Sequence, residues 1–166
     1  MCDPLLPSLY HLSYAEYSEL LRKHREFKES SGCVVQSFSS ALPPVFLFRG
    51  LINEKNKGKK FDVIDACSAP GNKTLQLGEY VGKSGTVYAF EKDERRYHTL
   101  QKNIQKHQAN NVQTILDSFL NASPADPMFK KVKLILLDPS CSGSGMLTNF
   151  TRDGCEEEDY SNLSFQ

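Results

Sequence analysis

No two of the five cysteines stand as C-x-x-C, and none of the four histidines pairs with another residue at metal-ligand spacing. That excludes the usual zinc frameworks, and an odd, scattered set of thiols fits a reducing compartment. No apolar run approaches the ~20 residues needed to cross a bilayer. Met1 to Leu12 has neither a basic start nor a long apolar core and carries two early prolines, so it does not read as a secretory signal. G-x-G-x-x-G is absent, which excludes the dinucleotide fingerprint, and no Gly directly precedes Lys73 as a phosphate loop would require. There is no G-x-S-x-G hydrolase elbow and no internal repeat.

What is present is ordinary in bulk. The 166 residues amount to about one domain. The apolar fraction of 39% and charged fraction of 24% are those of a globular protein. Lys+Arg and Asp+Glu balance at 20 each, but unevenly: residues 1–150 hold 19 basic against 15 acidic residues, and residues 151–166 hold one against five. A modestly basic body with an acidic tail is compatible with a nucleic-acid partner and equally with a plain solvated surface.

Residues 1–12 read as irregular. Ser13 with Glu16 makes a capping box, and Tyr17, Leu20, Leu21, His24 and Phe27 recur at helical spacing, which predicts an amphipathic helix from Tyr14 to Glu29 with Arg22, Lys23, Arg25 and Lys28 on its polar face. Cys33 to Gln36 reads as a short strand, Ser37 to Pro44 as a link, and Val45 to Phe48 as an apolar run. Ile52 to Lys60 is a polar loop carrying Lys55, Lys57, Lys59 and Lys60, which could meet phosphate. Strands are expected at 61–66, 86–90, 112–116 and 132–138, with helices at 73–81 and 93–108, the second turning Tyr97, Leu100 and Ile104 inward. Asp117 to Lys131 is an irregular excursion. Strands alternating with helices make a parallel, doubly wound α/β sheet.

The chain is organised around Val63-Ile64-Asp65-Ala66-Cys67-Ser68-Ala69-Pro70-Gly71-Asn72-Lys73-Thr74. Buried strand, tight small-residue turn and helix start are how open α/β sheets build a ligand site at the carboxyl end of a strand. Small side chains let backbone approach a ligand, and the new helix aims N–H groups at it. Glu91 ends the next strand, 26 residues after Asp65, where an acid can accept both ribose hydroxyls of an adenosine; an exposed strand-end acid is the plain alternative. Asp138 to Met146, D-P-S-C-S-G-S-G-M, is a strand end followed by a small-residue loop.

These pieces resemble the Sun/Fmu-type (RsmB-like) RNA (cytosine-5) methyltransferases. The first stretch is similar to their motif I, D-x-C-A-A-P-G-G-K-T, with Ser68 for one Ala and Asn72 for the second Gly. Gln36 to Pro44 resembles the family's Q-D-x-A-S-x-L-P-A, with Ser37 for the acid. The D-P-S-C-S-G-S-G-M string matches motif IV in the branch acting on large-subunit ribosomal RNA. The resemblance covers about residues 30–146 and implies a Rossmann-like methyltransferase fold. In that reading residues 1–50 are an N-terminal α/β segment, 51–146 a partial cofactor-binding core and 147–166 an acidic, disordered tail.

The resemblance also implies S-adenosylmethionine as cofactor, with Cys67, Ser68, Ala69, Pro70, Gly71, Asn72, Lys73, Glu91, Ser118 and Asp138 around it. The family has an acid after the third strand; Ser118 occupies that column here and Asp117 is adjacent. Arg96 matches a family arginine. Asp138, Lys73 and Cys141 are the implied catalytic residues: the first two at the junction of cofactor and cytosine, Cys141 in product release. C5 of cytosine attacks a methyl group well only after a thiolate adds to C6, and the charge that develops needs electrostatic help. The family's attacking cysteine lies in a later T-C-S string, which this sequence lacks; Cys155, beside Glu156, Glu157 and Glu158, is in the wrong field for a thiolate. The implied partner is ribosomal RNA and the implied form a monomer without metal or membrane, located inside the cell and, if the source is a eukaryote, in the nucleus or nucleolus. Two readings follow: an rRNA cytosine-C5 methyltransferase, or an inactive RNA- or cofactor-binding remnant of one. Only the first half of the sheet is expected, with Leu134 to Leu137 left as an apolar edge.

Overall fold

The computed structural model describes residues 2–3, 6–10, 12–23, 33–51 and 60–140. Residues 2–3 and 6–10 form strands where the sequence reads as irregular. Strand β1 (Cys2–Asp3) pairs antiparallel with β2 (Leu6–Tyr10), Cys2 opposite Tyr10. Pro7 sits inside β2 without breaking the pair, because a strand in a two-stranded ribbon needs ladder donors on one side only. Helix α1 (Tyr14–Lys23) opens on the expected capping box: Ser13 N–H donates to Glu16 Oε2 at 2.7 Å and Glu16 N–H to Ser13 Oγ at 3.2 Å. The Ser13 N–H, and after it the Ser13 hydroxyl, hold the Glu16 carboxyl below its usual range. The predicted continuation to Glu29 lies outside the described residues.

Two expectations for the next segment are corrected. Residues 33–37 form no strand and pair with neither sheet among the described residues. They are held by side chains instead: Asn72 Nδ2 donates to Val35 O (3.3 Å) and Gln36 Nε2 to Gln76 Oε1 (2.8 Å). Helix α2 (Phe38–Leu51) then takes up both the link and the apolar run, with Pro43 and Pro44 inside it. Ser37 starts it, its Oγ accepting the Ser40 N–H at 3.3 Å. An interior proline costs ~3 kcal/mol. Burial of Ala41, Val45 and Phe48 on one face offsets that cost.

The core is a four-stranded parallel sheet in the order β5-β4-β3-β6: β3 (Asp62–Asp65), β4 (Val87–Glu91), β5 (Val112–Leu116) and β6 (Val132–Leu136). Helices α3 (Asn72–Val81) and α4 (Glu94–Lys106) cross over between them. Alternate residues serve opposite faces. Val63 and Val87 pack with Phe48, Leu77 and Val81 under α2 and α3, and Ala89 packs with Leu100 and Ile104 of α4. Ile64, Tyr88 and Phe90 face the other way, where the excursion after β5 folds into two 3-10 turns, Phe119–Asn121 and Pro127–Phe129, and covers them with Phe119 and Phe129. The chain steps from β3 to β4 to β5 in one direction, then returns to place β6 on the far side of β3. That reversal puts a crevice at the carboxyl ends of β3 and β6. β6 is the outer strand among the described residues, and Ile135 and Leu137 are 47% and 65% exposed.

Candidate functional site

Asp65 ends β3 fully buried and braces the turn that follows. Its Oδ2 accepts the Thr74 hydroxyl at 2.7 Å and its Oδ1 the Cys67 N–H at 3.4 Å, so one carboxyl joins strand, turn and helix. Burial pushes it up to about 6; the bonds from Thr74 and Cys67 and the Lys73 charge oppose the rise, while Asp138 adds to it. Ser68 donates both its N–H (3.0 Å) and its hydroxyl (2.7 Å) to Phe90 O, and Ala66 N–H donates to Leu136 O (2.9 Å), tying the turn to both neighbouring strands. The Ala69–Pro70 peptide is cis. Gly71 has φ +110°, which favours glycine, and a Cβ there would lie 3.0 Å from Leu100 Cδ1, which would have to give by a few tenths of an ångström. Gly71, at the N-cap of α3, supplies no side-chain cap, and a helix start of this kind can offer its first-turn N–H groups to a ligand. Cys67 is half-buried, and its thiol is pushed up by burial, then by the Asp65 and Glu91 charges.

The other acids arrive on the same edge. Glu91, at the tip of β4, is buried; its Oε1 accepts the Asp93 N–H at 3.0 Å. Asp93 caps α4 by accepting the Arg96 N–H (2.9 Å). The Arg96 guanidinium spans the site: it donates to Ala69 O (2.7 Å) and Ser140 Oγ (3.2 Å) and lies 3.6 Å from Glu91 Oε2. Lys73 Nζ sits 2.8 Å from Asp138 Oδ2 and donates to Ser40 Oγ, also at 2.8 Å.

The turn Cys67–Asn72, Lys73, Glu91 and Asp138 therefore meet on one edge of the sheet. The Asn72 side chain is committed to Val35 O. Ser118 stands past the end of β5, its Oγ accepting the Leu120 N–H at 3.3 Å; Asp117 Oδ1 accepts from Ser118 N–H and Asn121 Nδ2, both at 2.7 Å. Cys141, Cys155, Lys55, Lys57 and Lys59 lie outside the described residues, and Lys60 is exposed. Sequence reading did not single out Ser40 or Gln76. The likeness of Gln36 to Pro44 to a family string was the available signal for Ser40; nothing marked Gln76. Among the described residues no group of His, Cys, Asp and Glu is arranged to hold a metal, and no helix is long and apolar enough to cross a membrane.

Residues 51–153, more than half of the chain, match the family model for 16S rRNA methyltransferase RsmB/F. The chain belongs to this family. The RsmB/F match takes in the Asp65 turn, Glu91 and Asp138, whereas Gln36 and Ser40 fall before it. The chain is 33% identical over 148 residues to a 28S rRNA (cytosine-C(5))-methyltransferase of Mus musculus, covering 89% of this chain and 29% of that protein. It is 40% identical over 115 residues to the 25S rRNA (cytosine-C(5))-methyltransferase rcm1 of Schizosaccharomyces pombe, covering 69% and 24%. The crystal structure of PH0851 superposes with a TM-score of 0.61 at 22% identity over 87% of this chain and 30% of that one, a likeness of fold. The chain spans less than a third of the length of these relatives.

Proposed function

We propose that this chain is the S-adenosylmethionine-binding part of an enzyme that methylates C5 of cytosine in large-subunit ribosomal RNA. The observation that supports this most is the meeting of Lys73, Glu91 and Asp138 with the Asp65 turn at the crevice between β3 and β6. The donors present suit such a cofactor: small residues in the turn, uncapped N–H groups at the start of α3, and a buried carboxylate at the tip of β4. When bound, the cofactor supplies an electrophilic methyl group on sulfur.

Each residue then has a task. Backbone of Cys67 to Asn72 lies against the cofactor. Glu91 would accept the ribose hydroxyls with the lone pairs left after Asp93 and Arg96, and Ser118, beside Asp117, would flank the adenine. Asp138 holds the pyrimidine, and Lys73 offsets the negative charge that develops on it. Cys141 follows Asp138 by three residues and serves product release. We place the partner RNA along the basic segments and the protein, as a monomer, in the nucleolus.

Calorimetric titration with S-adenosylmethionine tests the reading. Glu91→Ala removes charge-assisted hydrogen bonds worth roughly 1.5–3 kcal/mol each. Affinity is expected to fall more than tenfold; equal affinity of wild type and variant would remove the ribose assignment.

A further inference from the structure

Lys73 has three N–H donors on a flexible stem. Two are committed at 2.8 Å, to Asp138 Oδ2 on one side and Ser40 Oγ on the other. Ser40 comes from the first turn of α2, 33 residues earlier and before the family match begins. Its position is built rather than incidental. The Ser40 N–H is held by Ser37 Oγ (3.3 Å), and the next residue, Ala41, is held through its carbonyl by Gln76 Nε2 (2.9 Å). Gln76 lies three residues after Lys73 on α3, and its Oε1 also takes the Gln36 amide (2.8 Å). The helix that carries the lysine thus also fixes the backbone that carries the serine. Asp138 gives the ammonium one anchor at 2.8 Å, and the Ser40 hydroxyl gives it a second at the same distance.

We infer that Ser40 is a positioning residue for Lys73: it holds the ammonium at the crevice, so that the segment before the sheet completes the site. The functional weight of this rests on the role proposed for Lys73 above, but the geometry can be tested without it. The 166-residue chain is compared as wild type, Ser40→Ala, Ser40→Thr and Ser39→Ala; Ser39 is exposed and pairs with Ser37, not with Lys73. Each is treated briefly with a water-soluble acetylating ester, and labelling of Lys73 is read by peptide mass spectrometry against exposed Lys83. Ser40→Ala is expected to label Lys73 several-fold faster with Lys83 unchanged, while Ser40→Thr and Ser39→Ala match wild type. Unchanged labelling in Ser40→Ala, no rescue by Thr, or a joint rise at Lys73 and Lys83 would overturn the assignment. Titration of the same proteins with S-adenosylhomocysteine separates the two claims: a Lys73 response without cofactor binding sinks the functional reading and leaves the positioning intact, and binding without the Lys73 response does the reverse.

Discussion

Asp65 shows how one side chain can tie stability to the site. Its carboxyl moves from 3.8 to about 6 on folding, so the folded chain holds that proton more tightly than the unfolded one. The stabilisation is full below about pH 3.8 and is lost as pH rises through about 6. The difference corresponds to roughly 3 kcal/mol at neutral pH, where the buried carboxylate is charged. Asp65→Asn removes that charge and keeps the shape. The amide oxygen can still accept from Cys67, and the Thr74 hydroxyl can turn to Ser68 O, 3.3 Å away. Urea denaturation between pH 4 and 7.5 should show wild type losing stability across this window, with the Asn variant flatter and at least as stable at pH 7. An undiminished slope in the variant would assign the titration to another group.

At the scale of elements, packing distances separate glycines that look alike in the sequence. A Cβ on Gly85 would lie 2.0 Å from Phe61 O and 2.7 Å from Val81 Cγ1, against backbone that leads into β3. Gly82 has nothing within 4 Å and pays only for φ +64°. Gly85→Ala is expected to cost about 3 kcal/mol or more, and Gly82→Ala, at φ +64° and ψ −162° where glycine alone sits comfortably, about 1–3 kcal/mol, read as melting temperatures. The outer strand carries a different liability. Ile135 and Leu137 are exposed, so Ile135→Thr with Leu137→Thr should raise the soluble yield with little change in melting temperature. The parallel strands and their crossover helices were legible because buried strands read as apolar runs and α4 keeps Leu100 and Ile104 at helical spacing. Helix α2 was not, because paired prolines normally stop a helix and only burial of Val45 and Phe48 overrides them. The site divides in the same way. Glu91 and Asp138 stand at strand tips, where position follows from pattern. The Ser40–Lys73 contact joins residues whose proximity is created by tertiary packing alone.

For the whole molecule, binding and turnover are expected to separate. The sequence lacks the T-C-S cysteine, so the 166-residue chain should bind cofactor yet leave cytosine-containing ribosomal RNA unmethylated in an assay with labelled cofactor. Robust 5-methylcytosine formation would overturn this and point to Cys141 as the attacking thiolate, which loss of activity in Cys141→Ser with binding retained would confirm. The strand order also sets the sequence of assembly. Ile64 pairs with Tyr88 across 24 residues and Ala89 with Thr114 across 25, whereas Ile64 meets Ile135 across 71. Closing the longer span costs about 1 kcal/mol more in chain entropy. The first three strands and their two helices can therefore consolidate while the rest is still being made. Glu91 and the Asp65 turn are therefore expected to take their places early in folding. Asp138, just past the end of β6, is expected to arrive later, so the half of the crevice that would cradle a nucleoside should form before the half that would grip a base.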